Sequence, residues 1–302
     1  ERGVNTIATL CLANTQTQKI DEYFHFSHEY MDGFGALCYW LRLKGNKIPS
    51  PSHSGIKKPP FWLYPKLLIK SLSSLHQTPF PWRQRNQDAD NLDINDIEWN
   101  VFTEKQTQEI QSRAKENSSG MNAYILKKIN DATFKHLACE DVEGRWLFPV
   151  YMRGHLKARD DIHNQSSYIN LLTNKKSTAK DIHQSIKHSL LNYDHFATLW
   201  GFIIGQFFGL KGMRYLSKKT SSKHYGLGTF SSLGHIPKAL SVQDLNLNQH
   251  QVIIAVPPGT QNYPISVATI IYKNKLTMSF KIHPFILKDQ SKAALIFKEI
   301  CD

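Results

Sequence analysis

The residues best suited to chemistry in this chain are His28, Asp32 and Gly33, in the stretch Phe26-Ser27-His28-Glu29-Tyr30-Met31-Asp32-Gly33. It reads H-x-x-x-D-G directly after Tyr23-Phe24-His25-Phe26, whose alternation has the pattern of a strand. A histidine at a strand end changes charge near neutral pH and can take a proton from a substrate as a general base. An aspartate four residues later, followed by glycine, suits a tight turn that folds back on the histidine. Gly33 permits backbone geometry that other residues resist. This spacing can hold an imidazole in place and leave one ring nitrogen for a substrate. The competing reading is a surface turn carrying an idle histidine.

The rest of the composition bounds the answer. A chain of 302 residues, 41% hydrophobic and 21% charged, suits one large globular domain or two lobes. Its net charge of +12 favours anionic partners: nucleic acid, anionic lipid, the phosphates of CoA or an acidic carrier protein. The basic residues are scattered along the chain, and no zinc-finger, RNP-type or basic-zipper pattern is present, so nucleic acid is not expected. Cys11, Cys38, Cys139 and Cys301 form no C-x-x-C pair, which points to free thiols, a reducing cytoplasmic setting and no metal. His183 and His188 are five apart and share no helix face well enough to ligate one. The apolar run from Leu199 to Leu210 is too short to span a bilayer, so no transmembrane segment is expected.

Periodicity places the positioning elements. Thr6 to Ala13 and Lys19 to Phe26 read as strands leading into the motif, and Phe34 to Leu43 as the helix behind it. Pro59 to Leu75 reads as a short helix. Thr103 to Lys115 is a helix, with Thr103 and Gln106 set for a capping box. Met121 to Leu137 is the clearest amphipathic helix, Thr178 to Leu191 is a helix with Lys and His on its wet face, and Tyr193 to Leu216 is helical and apolar. Strands are expected at Trp146 to Met152, Ser167 to Leu172, Gly228 to Leu233, Val252 to Val256, Pro264 to Tyr272 and Lys275 to His283. Lys273-Asn274 suits a two-residue hairpin turn, and Asp289 a cap for a closing helix to Ile300. Strands and helices without strict alternation predict an α+β fold with mixed sheets flanked by helices.

In that order the pieces resemble the chloramphenicol acetyltransferase-like superfamily of condensation domains and alcohol and wax-ester acyltransferases. Two strands lead into the H-x-x-x-D-G motif. Ser119 to Tyr124 is similar to the helix that opens the family's second lobe. Phe148-Pro149-Val150-Tyr151-Met152-Arg153 is similar to its P-V-x-x-R strand. Gly228-Thr229-Phe230-Ser231-Ser232-Leu233-Gly234 resembles its F-S-N-x-G strand, and Pro264 to Pro284 its closing hairpin. Two departures stand out: Ser27 replaces the first of two adjacent histidines found in many relatives, and Ser232 replaces the usual Asn.

The resemblance implies a two-lobed fold, residues 1–98 forming the C-terminal part of a first lobe and 99–302 the second. Only 27 residues precede His28, so it also implies a missing N-terminal segment or a second chain to complete that lobe. The implied activity is acyl transfer from a CoA or carrier-protein thioester to an alcohol or amine. His28 would be the general base, in a channel between the lobes. Asp32 and Gly33 would be structural, with Arg153 a salt-bridge partner for Asp32, and Ser231 or Ser232 would donate to the oxyanion. No tightly bound cofactor is expected; the co-substrate is acyl-CoA or a phosphopantetheine-linked acyl donor. The expected acceptor is a small or lipid-like molecule. The basic run Lys211 to Lys223 could receive the donor's phosphates. The alternatives are a non-catalytic interaction module on the same scaffold and an anionic-surface binding protein.

Overall fold

In a computed structural model the chain is described at residues 7–14, 19–26, 31–46, 58–73, 79–86, 97–139, 142–152, 164–197, 209, 226–236, 252–257, 260, 262–289 and 291–302. It divides into two compact units. One takes Glu1–Ile56, Tyr151–Ser166 and Pro237–Gln249; the other takes Lys57–Val150, Ser167–Ile236 and His250–Asp302.

The first unit holds an antiparallel hairpin and a helix. Strands β1 (Ile7–Asn14) and β2 (Lys19–Phe26) pair with Ile7 opposite Phe26. Helix α1 (Gly33–Leu43) buries Ala36, Leu37, Trp40 and Leu41, the i, i+1, i+4, i+5 stripe of an amphipathic helix. Phe24 on β2 meets Tyr39 on α1 at 6.1 Å between ring centroids. Phe34 meets Tyr151 edge-on at 4.7 Å.

The second unit is built on a six-stranded mixed sheet. Its strands are β3 (Glu98–Val101), β4 (Gly144–Tyr151), β5 (Ser166–Thr173), β6 (Gly228–His235), β7 (Ile265–Tyr272) and β8 (Lys275–Ile282), in the order β3-β8-β7-β6-β4-β5. β6 runs parallel to both β4 and β7, while β8 is antiparallel to β7 and β3. Every residue of β7 is buried, as a central strand flanked on both edges requires. The turn between β7 and β8 puts Lys273 and Asn274 at φ of 47° and 56°, the left-handed pair of a type I′ turn.

The helices among the described residues of this unit are α2 (Tyr64–Ser73), preceded by a 3-10 turn at Phe61–Leu63, then α3 (Glu104–Glu116), α4 (Met121–His136), α5 (Ala179–Leu191) and α6 (Ser291–Cys301). Thr103 and Gln106 form the expected capping box of α3, and Thr178 and Asp181 form another on α5. The Thr178 hydrogen bonds hold the Asp181 carboxyl below its usual range. Asp289 accepts from the backbone N–H and hydroxyl of Ser291. Ser291 is the first residue of α6, so Asp289 ties down the start of that helix, and the Ser291 hydroxyl holds its carboxyl low.

Two expectations change. Val252 to Val256 joins no strand ladder among the described residues. The carbonyls of Ile253 and Ala255 accept from the hydroxyls of Thr277 (2.8 Å) and Ser279 (2.5 Å) on β8, so side chains take the place of a partner strand. β3 was not expected: four residues with Trp99 exposed carry no alternation to read. Most of the expected helix from Tyr193 to Leu216 lies outside the described residues.

The core of this unit contains a polar centre. Asn130 on α4 is fully buried. Its Oδ1 accepts from Trp146 Nε1 at 3.0 Å and from the Thr173 hydroxyl at 2.7 Å, and its Nδ2 donates to the Asn174 carbonyl at 3.0 Å. One side chain thereby ties the helix to β4, to β5 and to the turn after β5. Asn130→Leu should strand the Trp146 and Thr173 donors and cost on the order of 2–4 kcal/mol. A urea titration checks this; an unchanged midpoint would show that the network adds nothing.

Candidate functional site

Asp32 organises the described half of the motif. With β-region backbone (φ −85°, ψ 170°), it is the N-cap of α1, and its Oδ1 accepts from the Gly35 N–H at 2.7 Å. Its Oδ2 accepts from the Gln165 N–H at 2.8 Å, although 133 residues separate the two in sequence. The carboxylate is only 4% exposed. Buried carboxylates persist where their oxygens are occupied by donors, and a helix N-terminus adds favourable partial charge. The neighbouring backbone closes the arrangement, since the Met152 N–H donates to the Gln165 carbonyl at 3.1 Å. Gly33 opens the helix on which Phe34 and Trp40 pack. His28 and Arg153 lie outside the described residues.

Gln165 is the residue that sequence reasoning missed. It contributes a main-chain N–H, which nearly every residue carries, so no side-chain signal marks it. Its own side-chain oxygen is buried with no hydrogen-bond partner among the described residues.

Ser231 and Ser232 lie on β6 in the second unit, both partly buried. Consecutive strand residues project to opposite faces, so a single oxyanion can meet one of the two hydroxyls and not both. The Ser232 hydroxyl accepts from the Gly234 N–H at 3.3 Å. It keeps its own proton to donate. The register of β6 against β7 shifts between Ser232 and His235, and Gly234 takes φ of 69° there, so a bulge ends the strand. At the other end Gly228 admits no side chain. A β-carbon would lie 2.2 Å from the Ile265 carbonyl oxygen and 2.6 Å from the Trp146 ring. Close strand packing at Gly228 and a bulge at Gly234 together position the two serines.

Two further histidines are engaged by backbone donors. His183 Nδ1 accepts from the Gly120 N–H at 3.3 Å, which braces the N-terminus of α4. His283 Nδ1 accepts from the Phe285 N–H at 3.1 Å. Among the described residues no group of three or more His, Cys, Asp or Glu could hold a metal ion. A cavity of about 250 Å³ is lined by Phe102, Tyr124, Lys128, Met278 and Cys301 among others. Burial lowers the Lys128 ammonium and pushes the Cys301 thiol up to about 11. Cys301 is therefore a neutral thiol at physiological pH and not a nucleophile.

No protein-family model and no curated protein sequence matches the chain. Solved structures do. The chain is similar to a trichothecene 15-O-acetyltransferase from Fusarium sporotrichioides, at 11% identity and TM-score 0.62 over 98% of this chain and 70% of that one. It is similar to the first condensation domain of the CDA synthetase, at 9% identity and TM-score 0.57 over 98% and 65%. It is similar to the EpoB cyclization-docking bidomain from Sorangium cellulosum, at 11% identity and TM-score 0.54 over 99% and 63%. The chain thus spans less than two thirds of that bidomain. These likenesses show the fold, an α+β architecture of the chloramphenicol acetyltransferase-like kind.

Two measurements probe these sites. Asp32→Ala removes a cap and strands the Gln165 N–H, for an expected loss of about 2–4 kcal/mol. Asp32→Asn keeps one acceptor and should lose less; equal stability of all three proteins would remove the proposed strut. For Cys301, burial favours the protonated thiol. That contribution is present below the model-peptide value of 9.0 and is lost as pH rises through about 11. At pH near 8, iodoacetamide should modify exposed Cys139 well before Cys301. Equal rates would refute the burial argument.

Proposed function

We propose that the protein is an acyltransferase that moves an acyl group from a thioester to an alcohol or amine, with His28 as general base. The observation that carries this reading is the buried Asp32 cap. It holds the D-G half of H-x-x-x-D-G at the start of α1, six residues beyond the end of β2. A buried carboxylate bonded at both oxygens is a structural investment that a surface turn with an idle histidine does not need. The likeness to an O-acetyltransferase and to condensation domains supports acyl transfer as the class of reaction.

The chemistry balances with the residues named. Neutral His28 takes the proton of the acceptor hydroxyl or amine as its oxygen or nitrogen attacks the thioester carbonyl carbon. The carbonyl π electrons move to oxygen, and a hydroxyl on β6, from Ser231 or Ser232, donates to that oxyanion. The intermediate collapses, the carbon–sulfur bond breaks, and the departing thiolate takes the proton from the imidazolium. Acyl product and free thiol leave, and His28 is neutral again. Asp32 and Gly33 shape the backbone beside the base and take no part in proton transfer.

Acyl-CoA or a phosphopantetheine-linked donor suits the net charge of +12. An acidic carrier protein suits it for the same reason. The Lys211 to Lys223 run, which would meet donor phosphates, lies outside the described residues. A small or lipid-like molecule is the proposed acceptor.

His28→Ala should lower thiol release from the preferred donor by roughly 10²–10⁴-fold without moving the melting temperature. Ser231→Ala and Ser232→Ala should differ, one losing about 10²-fold or more in kcat and the other little, because only one can face the carbonyl. Thiol release measured over a panel of acyl-CoAs and acyl-carriers reads both. Full activity in His28→Ala would remove the assigned base. A folded wild-type chain that releases no thiol from any donor would instead identify a non-catalytic module.

A further inference from the structure

The segment just after Lys58 turns its apolar side outward. Phe61, Trp62 and Ile69 are 77%, 66% and 67% exposed, whereas Leu67, on the opposite side of the helix, is 2% exposed. Phe61 and Trp62 on the 3-10 turn are exposed, as are Pro65, Lys66 and Ile69 on α2, which follow the i, i+1, i+4 spacing of one helix face. An ordinary surface helix shows charged and polar residues on that face. The Phe61 and Trp62 rings meet edge-to-face at 5.4 Å, so the two form a single apolar projection. Exposed Lys58 and Lys66 flank it. Lys70, farther along, is bound to Asp194 at 2.6 Å and belongs to the fold.

We propose that this face docks the protein on an anionic lipid surface, with Phe61, Trp62 and Ile69 entering the headgroup boundary and Lys58 and Lys66 meeting lipid phosphates. Shape favours lipid over a protein partner: a projection enters a fluid apolar phase without needing a matching pocket. Composition favours it too, since aromatic and aliphatic residues beside lysines mark helices that lie in a membrane interface. Charge decides the kind of lipid. Between Asp32 and Asp88 the chain carries nine Lys and Arg and no Asp or Glu, most of its net charge of +12. Such a stretch is attracted to a negatively charged leaflet. No helix among the described residues is long and apolar enough to cross a membrane, so the contact proposed is one of lying on the surface.

Co-sedimentation of the full chain with vesicles tests this. Binding to phosphatidylcholine vesicles containing about 30% phosphatidylglycerol should exceed binding to pure phosphatidylcholine by roughly tenfold or more. Phe61→Ser with Trp62→Ser should lose about tenfold in binding to the anionic vesicles while keeping the wild-type melting temperature, because both side chains are solvent-exposed. Lys58→Glu with Lys66→Glu should weaken anionic binding alone, as should salt at about 0.5 M. Wild-type binding by the Phe61/Trp62 variant overturns the proposal, as does equal binding to the two vesicle types. Absence of vesicle binding also overturns it. In that case, a dimer in light scattering that the aromatic variant dissolves assigns the face to a second copy. An acidic carrier protein whose binding the variant loses assigns it to a protein partner.

Discussion

The Asp32 carboxylate is the constraint on which the start of α1 rests. Its two oxygens do different work. One accepts from the Gly35 N–H in the first turn of α1, and the other from the N–H of Gln165 in a distant part of the chain. The local bond fixes where the helix begins; the distant bond fixes what the helix start lies against. Losing either leaves a buried polar group without a partner, which costs more than an ordinary hydrogen bond contributes. A carboxylate with both oxygens bonded in this way serves as a strut. In the proposed reaction the proton chemistry falls to His28, four residues before it.

The second unit uses the same economy with a neutral side chain. Asn130 satisfies two donors and one acceptor from three separate elements, so the helix–sheet arrangement is specified by direction as well as by apolar contact. Gly228 adds a steric condition, because strand β6 can approach β4 and β7 this closely only without a β-carbon there. Apolar residues such as Trp146, Phe230 and Phe280 supply the bulk of the buried surface. The polar centre and the glycine determine which of many apolar packings is reached.

Much of this was legible because its causes are local. The Thr103 and Gln106 box, the Lys273-Asn274 turn and the amphipathic stripe of α4 each act within a few residues, and each is found where the pattern puts it. What was not legible depends on distant groups or on length. Gln165 acts through a backbone N–H, so its side-chain identity says nothing about its role. The 252–257 segment has the composition of a strand, but its carbonyls meet the hydroxyls of Thr277 and Ser279, and hydropathy does not register which donor arrives. β3 is a four-residue edge strand, too short to show a period. The adjacency of Ser231 and Ser232 was plain from the start. That their side chains project to opposite faces follows only once β6 is known to be regular up to the bulge at Gly234.

Charge and apolar exposure make separable demands on this chain. A phosphate-bearing donor and an anionic lipid surface would both feel the basic stretch between Asp32 and Asp88, because electrostatic attraction does not depend on the chemistry attached to the phosphate. Salt sensitivity alone therefore cannot assign that stretch to either partner. The aromatic pair can. A soluble donor gains nothing from Phe61 and Trp62 unless it seats against them, whereas insertion at a lipid boundary depends on their apolar area. Two side chains that neither cap a helix nor fill the core thus carry the distinction between attracting a substrate and holding a surface.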